Sequence, residues 1–150
     1  MRKNRCANEY NALVLGGMTA GLPLEEVLAK EANEEASIPA DLVSAASLTT
    51  FVQYCYHMDH FIKREMNFVY DLELPSDFTP ATNDGETVEF RCVRLDDQCK
   101  LFDRPEEWKP NCFAITFDFA VRHGTLPTQD LEDLCEWTYL TRNTEILNVY

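Results

Sequence analysis

The sequence has few basic residues and no long apolar run. Lys and Arg number 13 against 26 Asp and Glu, which gives a formal net charge of −13. Binding to nucleic acid or to an anionic membrane depends on clustered basic side chains, so the composition argues against both partners. No apolar stretch approaches the length of a membrane-spanning helix, and no secretion signal is evident at the start. We therefore expect a cytoplasmic protein with no nucleic-acid or membrane partner.

Motifs that would indicate a zinc site are also absent. The six cysteines and three histidines are scattered along the chain, with no CxxC pair. Most of the cysteines have apolar neighbours, where a buried free thiol is the ordinary interpretation. The chain of 150 residues is 45% hydrophobic, which is enough for one core. We predict a single domain over residues 1–150.

Hydrophobic periodicity predicts two helices and several strands. Apolar residues recur at helical spacing from Leu24 to Ala36 and from Lys109 to Gly124. Strands are predicted at 11–15, 48–58, 62–74 and 87–95, with the middle two as an antiparallel pair, and the tail from Leu131 is predicted to be helical at first. Strands packed with two helices in a chain of this length predict an α/β sandwich with a mixed sheet.

The apolar face of the first predicted helix continues into three glutamates, Glu31, Glu34 and Glu35. Residues three or four apart are neighbours on a helix, so these carboxylates cover a narrow arc and repel one another. A solvated helix end is the simplest interpretation. The alternative is that carboxylates near a core face are balanced by cations. A cluster of oxygen ligands favours Mg²⁺ or Mn²⁺ over zinc.

The stretch GGMTAGLPLEEVLAKEANEEASIP resembles the Nudix box, G-xxxxx-E-xxxxxxx-R-E-U-x-E-E-x-G-U, in which U is a bulky apolar residue. Gly16 takes the first position, and the three glutamates of the preceding paragraph fall in place. The chain has Leu22 in place of Glu, Lys30 in place of Arg and Ser37 in place of the last Gly. The first two positions form a pair that braces the loop against the helix in the family. Leu22 and Lys30 are therefore interpreted as one linked change.

Three further segments extend the resemblance in the same order: FVYDLELP, NDGETVEF and KPNCFAITFDFAVRHG. Together they resemble the fungal and plant Nudix subfamily related to thiamine pyrophosphokinase, in which EEASIP is the usual ending of the box. The implied fold is a Nudix-type α/β/α sandwich with a mixed sheet. Members of that subfamily have more chain before the glycines, so we expect a domain shortened at its N-terminus. A homodimer would be one way to complete its sheet.

The resemblance implies hydrolysis of the diphosphate in a small molecule of the type nucleoside diphosphate linked to X. Thiamine diphosphate or its damaged analogues are the substrates that the subfamily suggests. Glu31, Glu34 and Glu35 would hold Mg²⁺ or Mn²⁺, and Glu34 or Glu35 would also act on the attacking water. The backbone at Gly16 and Gly17 would let the phosphates approach closely.

Two predicted site residues lie outside the box. NDGETVEF contains a second acidic cluster, in which Glu86 is the preferred candidate for a general base or extra metal ligand, ahead of Glu89. An ordinary Asn-Asp-Gly turn with solvated charges is the simpler interpretation of that segment. Lys109 is a candidate phosphate contact, although a lone lysine is commonly only a surface residue.

Two other functions remain open at this point. A catalytically impaired Nudix-fold module that binds or regulates would explain the changes at Leu22 and Lys30, but the presence of all three glutamates argues against it. A hydrolase of ADP-ribose or nucleotide sugars fits the box equally well, because the box specifies the diphosphate and not the group X.

Overall fold

The structure is a computed structural model that describes residues 9–58, 61–83, 85 and 87–126, without the side chains of 55–58, 61, 96 and 99. The helices are α1 (Leu24–Ala36), α2 (Ala40–Val43), α3 (Cys99–Phe102) and α4 (Pro110–Arg122). The strands are β1 (Ser47–Met58) and β2 (Phe61–Asp71), and short 3-10 turns cover Leu95–Asp97 and Pro105–Glu107. Two helices precede the strands and two follow them, and the predicted α/β class is confirmed.

The chain divides into two compact units. The α1 unit consists of Asn11–Leu48 and Tyr70–Cys92. Among the described residues, the α4 unit consists of 9–10, 49–58, 61–69 and 93–126. The assignment of residues 1–150 to a single domain stays a prediction.

Helix α1 has the bounds that the apolar spacing predicts. It begins directly after Pro23, whose φ of −60° and extended ψ set the direction in which the chain enters the helix. Glu25 and Glu26 lie in the first turn, where negative charge is favourable to the helix dipole. The core of this unit is formed by the buried side chains of Ala32, Ala36, Ile38 and Val43, against which Leu28, Leu72, Phe78 and Phe90 pack. The apolar face therefore anchors α1 in its unit.

Strands β1 and β2 form the antiparallel pair that the sequence predicts. The Thr49 hydroxyl donates a hydrogen bond of 3.1 Å to the Val69 carbonyl, and farther along β1 the Tyr54 hydroxyl contacts Glu65. One face of the pair is covered by α4, because Val52, Val69 and Ala114 form a buried cluster. Helix α4 starts with a proline at its first position and ends at Arg122. Because Ala114 of this helix is buried with Val52 and Val69, the prediction of a helix buried against the sheet is confirmed.

Two predicted strands are wrong. Residues 11–15 form no strand, because the Leu15 N–H donates to the Glu35 carboxylate at 2.6 Å instead of to a neighbouring strand. Residues 87–95 also form none: the Val88 side chain is 89% exposed, and a 3-10 turn begins at Leu95. Besides the β1–β2 pair, the described residues contain one isolated parallel bridge, between Tyr10 and Trp108. A pattern of alternating residues becomes a strand only where a partner edge is available.

Three other expectations concern the rest of the chain. The helix predicted from Leu131 lies outside the described residues. Of the cysteines whose side chains are described, Cys112 is a buried free thiol and Cys92 an exposed one. No helix in the described part of the chain is long and apolar enough to cross a membrane.

Candidate active site

Helix α1 presents Glu31, Glu34 and Glu35 in its last two turns, within the α1 unit. The Glu31 side chain is only 16% exposed, whereas that of Glu34 is 48% exposed. The carboxylates therefore occupy different environments although they are neighbours in sequence. Glu31 and Glu34 contact a lysine of the same helix, and Glu35 contacts the loop before the glycines.

Lys30 bridges two of the glutamates. Its Nζ lies 3.1 Å from Oε1 of Glu31 and 2.8 Å from Oε2 of Glu34. The hydrogen bonds to Glu34 and then to Glu31 raise the pKa of Lys30 above its usual value. Glu31 and Glu34 therefore converge on one positive charge. Comparison with the Nudix box places Lys30 at the position of the family's arginine, but it does not reveal that Lys30 pairs with Glu31 and Glu34.

Glu35 holds the loop that precedes the glycines. The backbone N–H of Leu15 donates to Oε2 of Glu35 at 2.6 Å. A hydrogen bond from an amide to an ionised carboxylate is stronger than one between neutral groups. Leu22, in contrast, is apolar and 38% exposed. The Glu35–Leu15 hydrogen bond thus ties the loop to the helix by a contact that sequence patterns do not indicate, because its donor is a backbone group.

Gly16 is required by the position of the Glu31 side chain. A Cβ atom built on Gly16 would lie 2.1 Å from Cγ of Glu31 and 2.5 Å from its Oε2, which is closer than such atoms can approach. A Cβ atom on Gly17 would meet nothing within 4 Å. Of the two glycines predicted to face phosphates, only Gly16 is therefore needed for the packing of a predicted metal ligand.

Residues 81–83 are docked on the C-terminal end of α1. The Asn83 N–H donates to the Glu34 carbonyl at 2.9 Å, its side-chain amide donates to the Asn33 carbonyl at 2.7 Å, and the Ala81 N–H donates to the Ala36 carbonyl at 3.3 Å. The Ser37 hydroxyl donates to the Ala81 carbonyl at 2.7 Å. These bonds satisfy carbonyl groups that a helix end leaves without partners. They also fix the chain immediately before the second acidic cluster.

The structure describes only part of the second acidic cluster. Glu86, the preferred base, lies outside the described residues, as does Asp84. Glu89 is described and exposed, and its carboxylate pairs with Arg91 at 3.0 Å. Its charge is therefore partly neutralised by a neighbour in sequence.

Lys109 belongs to the α4 unit, where it precedes the first residue of α4. Its N–H donates to the Tyr10 carbonyl at 3.1 Å. Burial raises the pKa of Glu65, and the positive charge of Lys109 opposes that rise. Lys109 therefore lies near Glu65 in its own unit, and its predicted phosphate contact stays a prediction.

The donor set on α1 suits a hard divalent cation. Carboxylate oxygens are the ligands that Mg²⁺ and Mn²⁺ prefer, and the Lys30 ammonium shows that Glu31 and Glu34 can share one cation. In the part of the chain that the structure describes, no three His, Cys, Asp or Glu side chains are already arranged around a common metal position. To complete a metal site with Glu31 and Glu34, the Glu35 carboxylate would have to leave the Leu15 N–H, or other groups would have to serve as ligands.

Comparison with known proteins identifies relatives over most of the chain. The sequence is 32% identical over 126 residues to Nudix hydrolase 24, chloroplastic, of Arabidopsis thaliana, which is 84% of this chain and 34% of that protein. It is 36% identical over 118 residues to Nudix hydrolase 20, chloroplastic, of the same plant, covering 75% of this chain and 30% of that protein. An uncharacterized protein of Saccharomyces cerevisiae is 30% identical over 130 residues, which are 79% of this chain and 38% of that protein. No family model matches. The chain thus spans about a third of the length of these relatives.

Proposed function

We propose, from the premise that this chain is a homologue of the Nudix hydrolases, that it hydrolyses a diphosphate linkage with the help of a divalent metal ion. Two relatives bear the name Nudix hydrolase, which agrees with the resemblance of residues 16–39 to the Nudix box. The observation that carries the proposal is the convergence of Glu31 and Glu34 on one cation, with Glu35 next to them on the same helix. Because these relatives are much longer than this chain, their activity is a proposal for it and does not follow from the similarity alone.

The proposed reaction is a substitution at phosphorus. The oxygen of water forms a bond to one phosphorus atom of the diphosphate, the bond from that phosphorus to the bridging oxygen breaks, and the bridging oxygen leaves with the other phosphate. The water proton passes to a carboxylate, for which Glu34 and Glu35 are the candidates on α1. Mg²⁺ or Mn²⁺ bound by the glutamates would neutralise charge on the phosphate oxygens.

The other predicted site residues are part of the same proposal. Gly16 would keep Glu31 in place, and the backbone of Gly17 would lie open to a phosphate, because no atom lies within 4 Å of a Cβ built there. Glu86 is proposed as an alternative base, since it follows the segment that Asn83 fixes on α1. Lys109 is proposed as a phosphate contact.

The substrate follows from the subfamily resemblance alone. We propose thiamine diphosphate or its damaged analogues as the first compounds to test, with ADP-ribose and nucleotide sugars as the alternative substrate class.

We further propose that the protein acts in the cytoplasm and as a homodimer. Sedimentation velocity would test the dimer, and a strictly monomeric protein would contradict it.

One observation favours a second candidate function, a Nudix-fold module that binds its ligand without turning it over. Lys30 already forms ion pairs with both Glu31 and Glu34, so the glutamates cannot receive a metal ion without a rearrangement. If that ion pair persists when Mg²⁺ or Mn²⁺ is present, the fold would bind a ligand and hydrolyse nothing.

The test is a hydrolysis assay with matched variants. Purified protein would be incubated with Mg²⁺ or Mn²⁺ and each compound named above, and release of phosphate or monophosphate would be followed. We expect Glu34→Gln and Glu35→Gln each to lower kcat by about a hundredfold or more, because each removes a charge at the reacting centre. Glu26→Gln, an exposed glutamate in the first turn of the same helix, is the control and should keep full activity.

The outcomes separate the candidates. No release from any compound with either metal would refute the hydrolase and support the binding module if a compound still bound in a metal-dependent way. Full activity of both glutamine variants would show that the reaction takes place elsewhere. Release from ADP-ribose or a nucleotide sugar but not from thiamine compounds would retain the hydrolase and change its substrate.

A further inference from the structure

Lys30 contacts two carboxylates, and both are proposed metal ligands. The other lysines with described ion pairs do not share this feature. Its ammonium lies within 3.1 Å of Glu31 and 2.8 Å of Glu34, and these are its ion pairs among the described residues. The Lys30 side chain is 47% exposed. No burial holds the ammonium in place, so it can leave the carboxylates by rotation about its flexible stem.

The oxygens that Lys30 contacts are those that a divalent cation would need. An ammonium group directs its donors at the carboxylate lone pairs, and a hard metal ion requires the same lone pairs as ligands. Two positive charges between the same two carboxylates would repel each other strongly. A metal ion and the Lys30 ammonium therefore cannot both occupy the position between Glu31 and Glu34.

The surroundings restrict the alternatives for both groups. Glu31 cannot move farther toward the glycine loop, because its Cγ already lies 2.1 Å from the position that a Cβ of Gly16 would take. Glu35 is occupied by the Leu15 N–H. Glu31 is thus held beside Glu34 within reach of one ammonium, and the cation between the two carboxylates is the part that can be exchanged.

We infer that Lys30 is a tethered competitor of the divalent metal ion, which occupies the position between Glu31 and Glu34 and is displaced when the metal binds. This inference rests on the proposed function, since it assumes that the glutamates bind metal. It goes further by assigning Lys30 the role of setting the metal affinity. Displacement also releases a cationic side chain beside the site at the moment when an anionic substrate can bind.

The first experiment measures metal affinity without turnover. Mn²⁺ would be titrated into the protein and into its Lys30→Met variant, and free Mn²⁺ would be followed by electron paramagnetic resonance. We expect the variant to bind Mn²⁺ about two- to fivefold more tightly, the factor that an exposed ion pair supplies when it no longer competes. Lys30→Arg keeps the positive charge and should retain the weaker affinity.

Lys100 supplies the matched control. It forms an exposed ion pair with Asp97 at 2.6 Å, and its side chain is 76% exposed. Lys100→Met removes the same charge and the same kind of ion pair on α3, in the α4 unit. If it tightens Mn²⁺ binding as much as Lys30→Met does, net charge explains the effect and the inference is overturned.

A second measurement detects the displacement itself. Brief acetylation followed by mass spectrometry would compare the modification of Lys30 and Lys100 with and without Mn²⁺. We expect Mn²⁺ to accelerate acetylation of Lys30, because the metal ion frees its amine, and to leave Lys100 unchanged. Equal protection of Lys30 in both conditions would overturn the inference.

Failure of the inference can be told apart from failure of the proposed function. Equal or weaker Mn²⁺ binding by Lys30→Met, together with loss of that binding in Glu34→Gln, would overturn the competitor role and leave the metal site intact. Mn²⁺ binding that survives Glu34→Gln and Glu31→Gln, or is absent from every variant, would overturn both.

Discussion

Gly16 and Glu31 are in such close contact that the residue types at both positions depend on each other. The Glu31 side chain passes over the Cα of Gly16, while its carboxylate reaches Lys30. Glu34 shares the same lysine, and Glu35 turns to the backbone of Leu15. Three carboxylates that would repel one another on a bare helix are thus separated by contacts to a cation and to an amide.

The first prediction replaces Gly16 with alanine. Its Cβ would lie 2.1 Å from Cγ of Glu31, so the glutamate must move away. Because small displacements of groups at a reacting centre cost on the order of 10 to 100-fold in rate, we expect Gly16→Ala to lower kcat by that factor and to weaken Mn²⁺ binding. Steady-state kinetics and Mn²⁺ titration measure the two effects.

Gly17→Ala is the control for this prediction. No atom lies within 4 Å of a Cβ at that position, and Gly17 does not have a positive φ. We expect Gly17→Ala to bind Mn²⁺ as the unmodified chain does. A Gly16→Ala variant with unchanged metal affinity would show that Glu31 is not held by this contact.

At the scale of single residues, the sequence identifies the charged groups but not all of the groups that they contact. Helical spacing was sufficient to place Glu31, Glu34 and Glu35 on one side of α1. The Leu15 amide and the direction of the Lys30 side chain depend on the path of the loop and on the side-chain rotamer. Neither is encoded in the spacing of residue types.

Helix α1 is the element on which the site depends, and its C-terminal end is closed by an unusual residue. Ser37 has φ 54° and ψ 32°, a left-handed conformation that glycine adopts most easily. Its N–H and that of Ile38 donate to the carbonyls of Asn33 and Ala32. The Ser37 hydroxyl also bonds to Ala81, so a side chain at this position does what glycine could not.

The second prediction compares two substitutions of Ser37. Ser37→Ala loses the hydroxyl bond to Ala81 and keeps the left-handed strain, so we expect it to lower the free energy of unfolding by about 1 kcal/mol. Ser37→Gly loses the same bond but relieves about 1 kcal/mol of strain, so it should be nearly neutral. Urea unfolding of both variants measures the difference. Equal stabilities would indicate that the left-handed conformation carries no strain.

The elements that were predicted correctly are those with a strong local pattern. Helices α1 and α4 each combine apolar spacing with a proline at or next to the first turn, and β1 and β2 are long runs rich in β-branched and aromatic residues. Residues 11–15 and 87–95 show an equally extended pattern but form no strand. Their outcome depends on whether a partner edge is available, which is a property of the folded chain rather than of the segment.

On the scale of the whole molecule, the acidic composition gives divalent metal ions two ways to act. The formal net charge is −13, so any added salt reduces repulsion among the carboxylates. A metal ion that binds the glutamates of α1 in the folded state also stabilises that state by mass action. The two effects differ in specificity, because screening depends on ionic strength and binding depends on Glu31 and Glu34.

The last prediction separates these effects by thermal unfolding. At a concentration of Mn²⁺ a hundredfold above Kd, binding should stabilise the chain by about 2.7 kcal/mol, which corresponds to a rise in Tm of roughly 5 to 10 °C for a chain of this size. NaCl at the same ionic strength should produce a smaller rise. Glu34→Gln should keep the response to NaCl and lose the additional response to Mn²⁺. If NaCl raises Tm as much as Mn²⁺ does, or if Glu34→Gln responds to Mn²⁺ like the unmodified chain, stabilisation comes from screening and the glutamates of α1 hold no metal ion.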